Sequence, residues 1–170
     1  LEYNTTEVWQ GNQLMYEIRK MQNSESKLLD DFLYEAIFIP DGVDSPPKSI
    51  INNAELQVYV AGFGDEKDDI CFVAEAGGKI VGAAWARIMN DYGHIEDGVP
   101  SLAVSLYKEY RGRGIGMVLM QKLLSELENM GHKKVSLAVQ KQNYAVRMYR
   151  KLGFEVVGEK EEEFLMLKYL

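Results

Sequence analysis

The run Tyr110-Arg111-Gly112-Arg113-Gly114-Ile115-Gly116 constrains the fold more than any other part of this chain, because three glycines at alternate positions favour a tight turn of bare backbone. It lies between a strand-like run, 101–107, and a helical stripe of Met120, Leu123, Leu124 and Leu127 that ends at Gly131. A strand, a glycine turn and a helix in that order aim the helix's first N–H groups at the turn, and such a turn binds phosphate. Arg111 and Arg113 add charge and hydrogen-bond donors where an anion would sit. The alternative is a glycine-rich connection with no ligand.

The rest of the chain places this unit in a mixed domain. Residues 1–13 are polar and weakly patterned and read as an appendage; the main domain covers 14–170, opening with strand-like alternation over 14–21. Asn23 and Ser24 are good caps for a helix over 24–38, where Leu28, Leu29, Phe32, Leu33, Ala36 and Ile37 recur at helical spacing. Pro40, Gly42, Pro46 and Pro47 break it, and Pro47 opens a second helix through Ile50, Ile51 and Leu56. The runs 70–76 and 79–89 flank Gly77-Gly78 and predict a β-hairpin, followed by a loop over 90–100. A strand over 134–139, a helix over 143–152 and strands over 154–159 and 163–168 close the chain. This order predicts an α/β (α+β) single domain, a mixed central sheet flanked by helices.

Charge narrows the function. The 26 acidic and 19 basic side chains give a formal charge of −7, which argues against nucleic acid as a partner. The total hides a split: residues 101–151 carry ten basic and three acidic side chains, a local +7, and the remainder carries −14. Cys71 is the only cysteine, so neither an internal disulfide nor a Cys-rich zinc site is expected. His94 and His132 have no metal-ligand spacing, and no metal is expected. No apolar run approaches a membrane span, and the first residues lack the halves of a signal peptide, so the expectation is a cytoplasmic protein with no membrane partner.

Two known glycine loops fail on spacing. A dinucleotide fingerprint needs a glycine or alanine where Leu119 stands, and a P-loop needs Lys where Met117 follows Gly116. A third pattern, Arg/Gln-x-x-Gly-x-Gly/Ala, is met by Arg111, Gly114 and Gly116. Further on, 135–139 and then 143–154, ending in Tyr149, Gly153 and Phe154, supply a strand and a Tyr-x-x-x-Gly-Phe helix end. On these motifs the chain resembles the GCN5-related N-acetyltransferase superfamily.

The resemblance implies a GNAT-like domain with a splayed strand pair that holds acetyl-CoA as co-substrate, and transfer of its acetyl group to a primary amine by direct attack in a ternary complex. It puts Ser105, Leu106 and Tyr107 beside the pantetheine arm, with a backbone N–H at Leu106 stabilising the oxyanion. It puts Arg111, Gly112, Arg113, Gly114, Ile115 and Gly116 around the pyrophosphate, and Asn143 or Gln142 on the pantetheine. Tyr149 matches the family tyrosine that protonates the departing thiolate; its plainer role is a ring packed on the sheet. The family's usual base positions fall on Leu102 and Pro100, neither of which accepts a proton. Glu96 and Asp97 are the nearest carboxylates, with His94 a weaker candidate.

The acceptor is expected outside the cofactor motifs, over the first two helices and the loop after the hairpin, where Tyr34, Glu35, Phe38 and Tyr92 stand among acidic residues. Negative potential there would draw a cationic amine of a small molecule or a peptide amino terminus. A rival reading is an acyl-CoA-binding or regulatory module without turnover, favoured by the missing base. The closing strand with Phe164, Leu165, Met166 and Leu167 is open either to pairing across a homodimer or to finishing the sheet.

Overall fold

The computed structural model describes residues 15–170; the expected appendage over 1–13 lies outside them. Strand β1 (Glu17–Lys20) leads through a 3-10 turn (Asn23–Glu25) into helix α1 (Leu28–Ala36). The second expected helix divides into a 3-10 turn (Lys48–Asn52) and a short α2 (Ala54–Gln57), because Asn53 between them is extended at φ −61°, ψ 136°. The hairpin forms as β2 (Ile70–Ala76) and β3 (Lys79–Arg87), followed by β4 (Ser101–Leu106) and α3 (Ile115–Asn129). Strand β5 (Lys134–Gln140), helix α4 (Ala145–Lys151), and strands β6 (Glu155–Lys160) and β7 (Glu163–Tyr169) complete the fold.

The seven strands form one mixed sheet in the order β1-β2-β3-β4-β5-β7-β6, with β4 and β5 the parallel pair. Strand β7 lies between β5 and β6, paired on both sides, so it finishes the sheet and is not the open edge a strand-paired dimer would use. Its Met166 is fully buried in the layer under α3.

Alternation along the strands splits the core into two layers. On one face Leu119, Met120, Leu123 and Leu127 of α3 pack with Val81, Ala84, Leu102, Leu137 and Met166. On the other, Leu29, Phe32 and Leu33 of α1 pack with Val73, Ala83, Trp85, Tyr59 and Val60. Small residues on β3 let both layers approach: Ala83, Ala84 and Ala86 are fully buried.

Two polar groups on β3 pin the segment after α2 to the sheet. The buried Trp85 indole donates to the Tyr59 carbonyl at 3.1 Å. The buried Arg87 guanidinium pairs with Asp69 at 3.0 and 3.1 Å and also donates to the carbonyls of Ala61 at 2.8 Å and Val58 at 3.3 Å. A buried cation stripped of its partner is costly. Asp69→Ala is therefore expected to lower the free energy of unfolding by about 3–5 kcal/mol in urea melts, and the double replacement Asp69→Leu with Arg87→Met to recover most of that loss.

Candidate active site

The two parallel strands meet at one place. The β4–β5 ladder consists of Ser101 opposite Ser136, with the Ser136 N–H on the Pro100 carbonyl at 3.0 Å and the two buried hydroxyls side by side, 3.3 Å apart. Beyond that joint the strands part. Strand β4 stays paired with β3 along its whole length, and β5 with β7 along its own. Each strand is thus held from outside while the backbone edges facing the gap lack ladder partners, and a ligand that hydrogen-bonds like a strand fits there.

At the open end of the gap lies the glycine turn. A 3-10 turn (Lys108–Tyr110) follows β4, and Gly112 and Gly114 take φ of +70° and +82°, a region that side chains disfavour. The first helical bond of α3 runs from the Val118 N–H to the Gly114 carbonyl at 3.3 Å, so the preceding N–H groups have no intrahelical acceptor. No acidic residue occupies the first turn of α3 to neutralise them. Arg113 beside them is exposed and has no ion-pair partner among the described residues.

Arg111 plays a different part from its neighbour. Its Nε donates to the Leu106 carbonyl at 2.9 Å, and its Nη2 reaches the Glu35 carboxylate at 2.7 Å and the Glu35 carbonyl at 3.2 Å. It clamps the turn to the end of β4 and to α1. Glu35 is accordingly tied up by Arg111, and the Tyr34 hydroxyl donates to the Pro46 carbonyl at 2.6 Å. Phe38 is half-buried just past α1.

Side chains of β4 are anchored on both faces, which leaves its backbone for the gap. The Ser105 hydroxyl donates to the Phe32 carbonyl at 2.6 Å, and the Tyr107 ring lies 5.1 Å from that of Phe32. On the other face the Leu106 side chain fills the space over Gly82 and Gly116: a Cβ at position 82 would lie 2.7 Å from Leu106 Cδ2, and one at position 116 would lie 3.4 Å from Cδ1.

Helix α4 presents Tyr149 to the same layer that holds Leu106. Its ring meets Phe154 edge-on at 5.9 Å, and burial pushes the phenol's pKa well above its ordinary value, so the proton stays on oxygen at neutral pH. Asn143 accepts the Ala145 N–H at 2.9 Å through Oδ1, which starts α4 two residues later than the sequence suggests and leaves the Asn143 amide N–H groups available. Gln142 is exposed beside it.

Glu96 does not face the gap. It pairs with Lys134 at 2.7 Å, at the start of β5 and so on the far side of the Ser101–Ser136 joint from the glycine turn. His94 contacts the exposed Asp97 at 3.7 Å. A pocket of about 420 Å³ instead lies on the α1 side of β5, lined by Glu55, Asp91, Tyr92, Ala138, Glu163 and Leu165 with neighbouring residues of β6. Of the expected acceptor residues, Tyr92 alone lines it. Asp91, Glu55 and Glu163 were not singled out by sequence, since nothing in their local pattern marks them.

Together these features define an α/β domain with a split parallel strand pair and a glycine turn leading into a bare helix N-terminus at its mouth. A family model for the acetyltransferase (GNAT) domain matches residues 29–167. An acetyltransferase of Sodalis glossinidius is 37% identical over 91 residues, 52% of this chain and 58% of that protein. The mouse N-acetyltransferase 8 is 30% identical over 110 residues, 64% of this chain and 45% of that protein. The chain thus spans about half the length of these curated relatives. Among solved structures, the Thermoplasma acidophilum PaiA N-acetyltransferase in complex with coenzyme A superposes with a TM-score of 0.68 at 20% identity, covering 92% of this chain and 100% of that one. The chain belongs to the GNAT acetyltransferase family.

The packing around Leu106 generates a test. Gly82→Ala pushes its new methyl into Leu106 and shifts β4 at the gap. The expected result is a loss of about 1–3 kcal/mol in thermal or urea unfolding together with weakened acetyl-CoA binding by calorimetry.

Proposed function

We propose that this domain moves the acetyl group of acetyl-CoA to a primary amine by direct attack in a ternary complex. The observation that carries the reading is the unpaired gap between β4 and β5 opening onto the bare N-terminus of α3. The bound thioester supplies the activated acetyl group. The N–H groups of the turn and of the start of α3, with Arg113, bind the pyrophosphate. The backbone of Ser105, Leu106 and Tyr107 holds the pantetheine arm as a strand would be held, with Asn143 and Gln142 adding amide contacts. A backbone N–H at Leu106 stabilises the negative charge that develops on the carbonyl oxygen during attack. As the C–N bond forms and the C–S bond breaks, Tyr149 delivers its proton to the departing thiolate, which would otherwise form in an apolar layer, and the proton that the amine loses passes to solvent, from which the phenol is reprotonated.

The acceptor approaches from the α1 side through the pocket beside Tyr92. Glu55, Asp91, Glu159 and Glu163 against Lys160 give that pocket a negative balance suited to a cationic amine of a small molecule or a peptide amino terminus. Glu35 and Tyr34 shape this side by holding Arg111 and the Pro46 carbonyl. A second reading, acyl-CoA binding without turnover, is favoured by Leu102 and Pro100 at the family's base positions.

Thiol release from acetyl-CoA across a panel of primary amines separates the two: transfer predicts acceptor-dependent release, and saturable binding without release for every amine contradicts it. Within the transfer reading, Tyr149→Phe is expected to lower kcat about a hundredfold with little change in acetyl-CoA affinity. Arg111→Ala, which frees the turn from β4 and α1, is expected to weaken acetyl-CoA binding about tenfold or more. Equal effects of the two variants on affinity would contradict these roles.

A further inference from the structure

We infer that Asp91 is a specificity-determining residue that anchors a second cationic group of the acceptor, so that the preferred substrates are amines carrying another positive charge on a flexible chain. The inference rests on the transfer reading and names the substrate class that fits its pocket.

Asp91 is set in place by both layers of the structure. The Tyr59 hydroxyl donates to its Oδ2 at 2.7 Å and the Ser101 hydroxyl to its Oδ1 at 2.7 Å. Both donors are buried, and Tyr59 is itself fixed by the Trp85 indole on its carbonyl. The loop behind Asp91 is pressed onto β5: the Ser136 hydroxyl donates to the Gly93 carbonyl at 2.6 Å, and a Cβ at position 93 would lie 3.1 Å from the Ala138 nitrogen. Two neutral hydroxyls orient the carboxylate without cancelling its charge. Burial and the Asp91 charge itself push the Tyr59 phenol well above its ordinary pKa, so Tyr59 remains a neutral donor.

The other charged groups around the pocket are engaged elsewhere or stand at its rim. Glu159 pairs with Lys141 at 2.9 Å, Glu163 accepts from Gln140 at 3.0 Å, Glu55 accepts from the Tyr92 hydroxyl, and Lys160 is exposed. Among the described residues no Lys, Arg or His pairs with Asp91. A partly buried carboxylate fixed by neutral donors in an open pocket is complementary to an incoming cation.

Position decides which cation. Asp91 bonds to Ser101 at the closed end of the gap, whereas the oxyanion position, Leu106, lies five residues further along an extended strand, roughly 16 Å away. Allowing for the side chains, a charge held by Asp91 sits on the order of 10 Å from the nitrogen that attacks. The pocket opens beside Asp91 and extends from it toward the mouth, where Ala138 in its wall stands two residues beyond the Ser136 joint. One ammonium therefore cannot serve both places, and the acceptor that uses both carries two.

Initial rates with 1,8-diaminooctane and 1-aminooctane test this, because they present the same reacting amine with and without a distal charge. After the twofold statistical correction, the wild-type protein is expected to favour the diamine in kcat/KM by about tenfold or more. Asp91→Asn keeps the shape and removes the charge; it should erase the preference, lowering kcat/KM for the diamine about tenfold more than for 1-aminooctane, a selective loss that a purely structural role would not produce. Tyr59→Phe, which keeps the charge and drops one tether, should reduce the preference without abolishing it. Equal wild-type rates with the two amines, or full preference retained in both variants, overturn the anchor while leaving transfer intact. Absence of thiol release from the wild-type protein with any amine overturns transfer itself.

Discussion

The single joint between Ser101 and Ser136 is the constraint on which the rest of the site depends. Parallel strands that stay paired leave no room for a ligand, and parallel strands that never meet have no defined separation. Here the Ser101–Ser136 bridge and the Ser136 N–H on the Pro100 carbonyl fix the closed end, and the two buried serine hydroxyls tie it to Asp91 and Gly93. Continuous pairing of β4 with β3, and of β5 with β7, carries the strands apart from there as two rigid walls. The gap therefore has exposed hydrogen-bonding edges without the disorder that unpaired strands would normally bring.

Everything that serves the gap is attached to one of those walls. Leu106 is wedged against Gly82 and Gly116, Ser105 is tied to the carbonyl of Phe32, and Arg111 binds the turn back to Leu106 and Glu35. The opposite side is built from the middle of the sheet outward: Trp85 and Arg87 fix the segment bearing Tyr59, Tyr59 fixes Asp91, and Asp91 returns to Ser101 at the joint. The strand pair that borders the gap thus shares Ser101 with the network that shapes the pocket beside Tyr92, which couples the two geometrically.

How much of this is legible in the sequence follows from range. The glycine turn is readable because its requirement is local: positive φ at Gly112 and Gly114 and a helix starting directly after them. The order of strands and helices is readable for the same reason, and the family motifs lie within it. What the sequence does not disclose are pairings across the fold. Arg111 stands where an anion ligand is expected, but its guanidinium is held by Glu35, 76 positions away. Glu96 is, with Asp97, one of the two carboxylates closest ahead of β4 in sequence, yet Lys134, 38 positions on, holds it on the wrong side of the joint. Asp91 meets Tyr59 from 32 positions away, a contact that only the sheet order brings about. The closing strand looks like an edge because it is last in the chain, and the sheet instead inserts it between β5 and β6.

In the proposed function acetyl-CoA binds as an added strand between β4 and β5 with its phosphates on the start of α3. Amide hydrogen exchange with and without acetyl-CoA measures this most directly, because it reports on the backbone groups that the claim involves. New protection is expected at residues 102–107, 112–117 and 137–140, with little change in β1, β2 or the β6 edge. Saturable binding of acetyl-CoA that leaves exchange at 102–107 and 112–117 unaltered would contradict it.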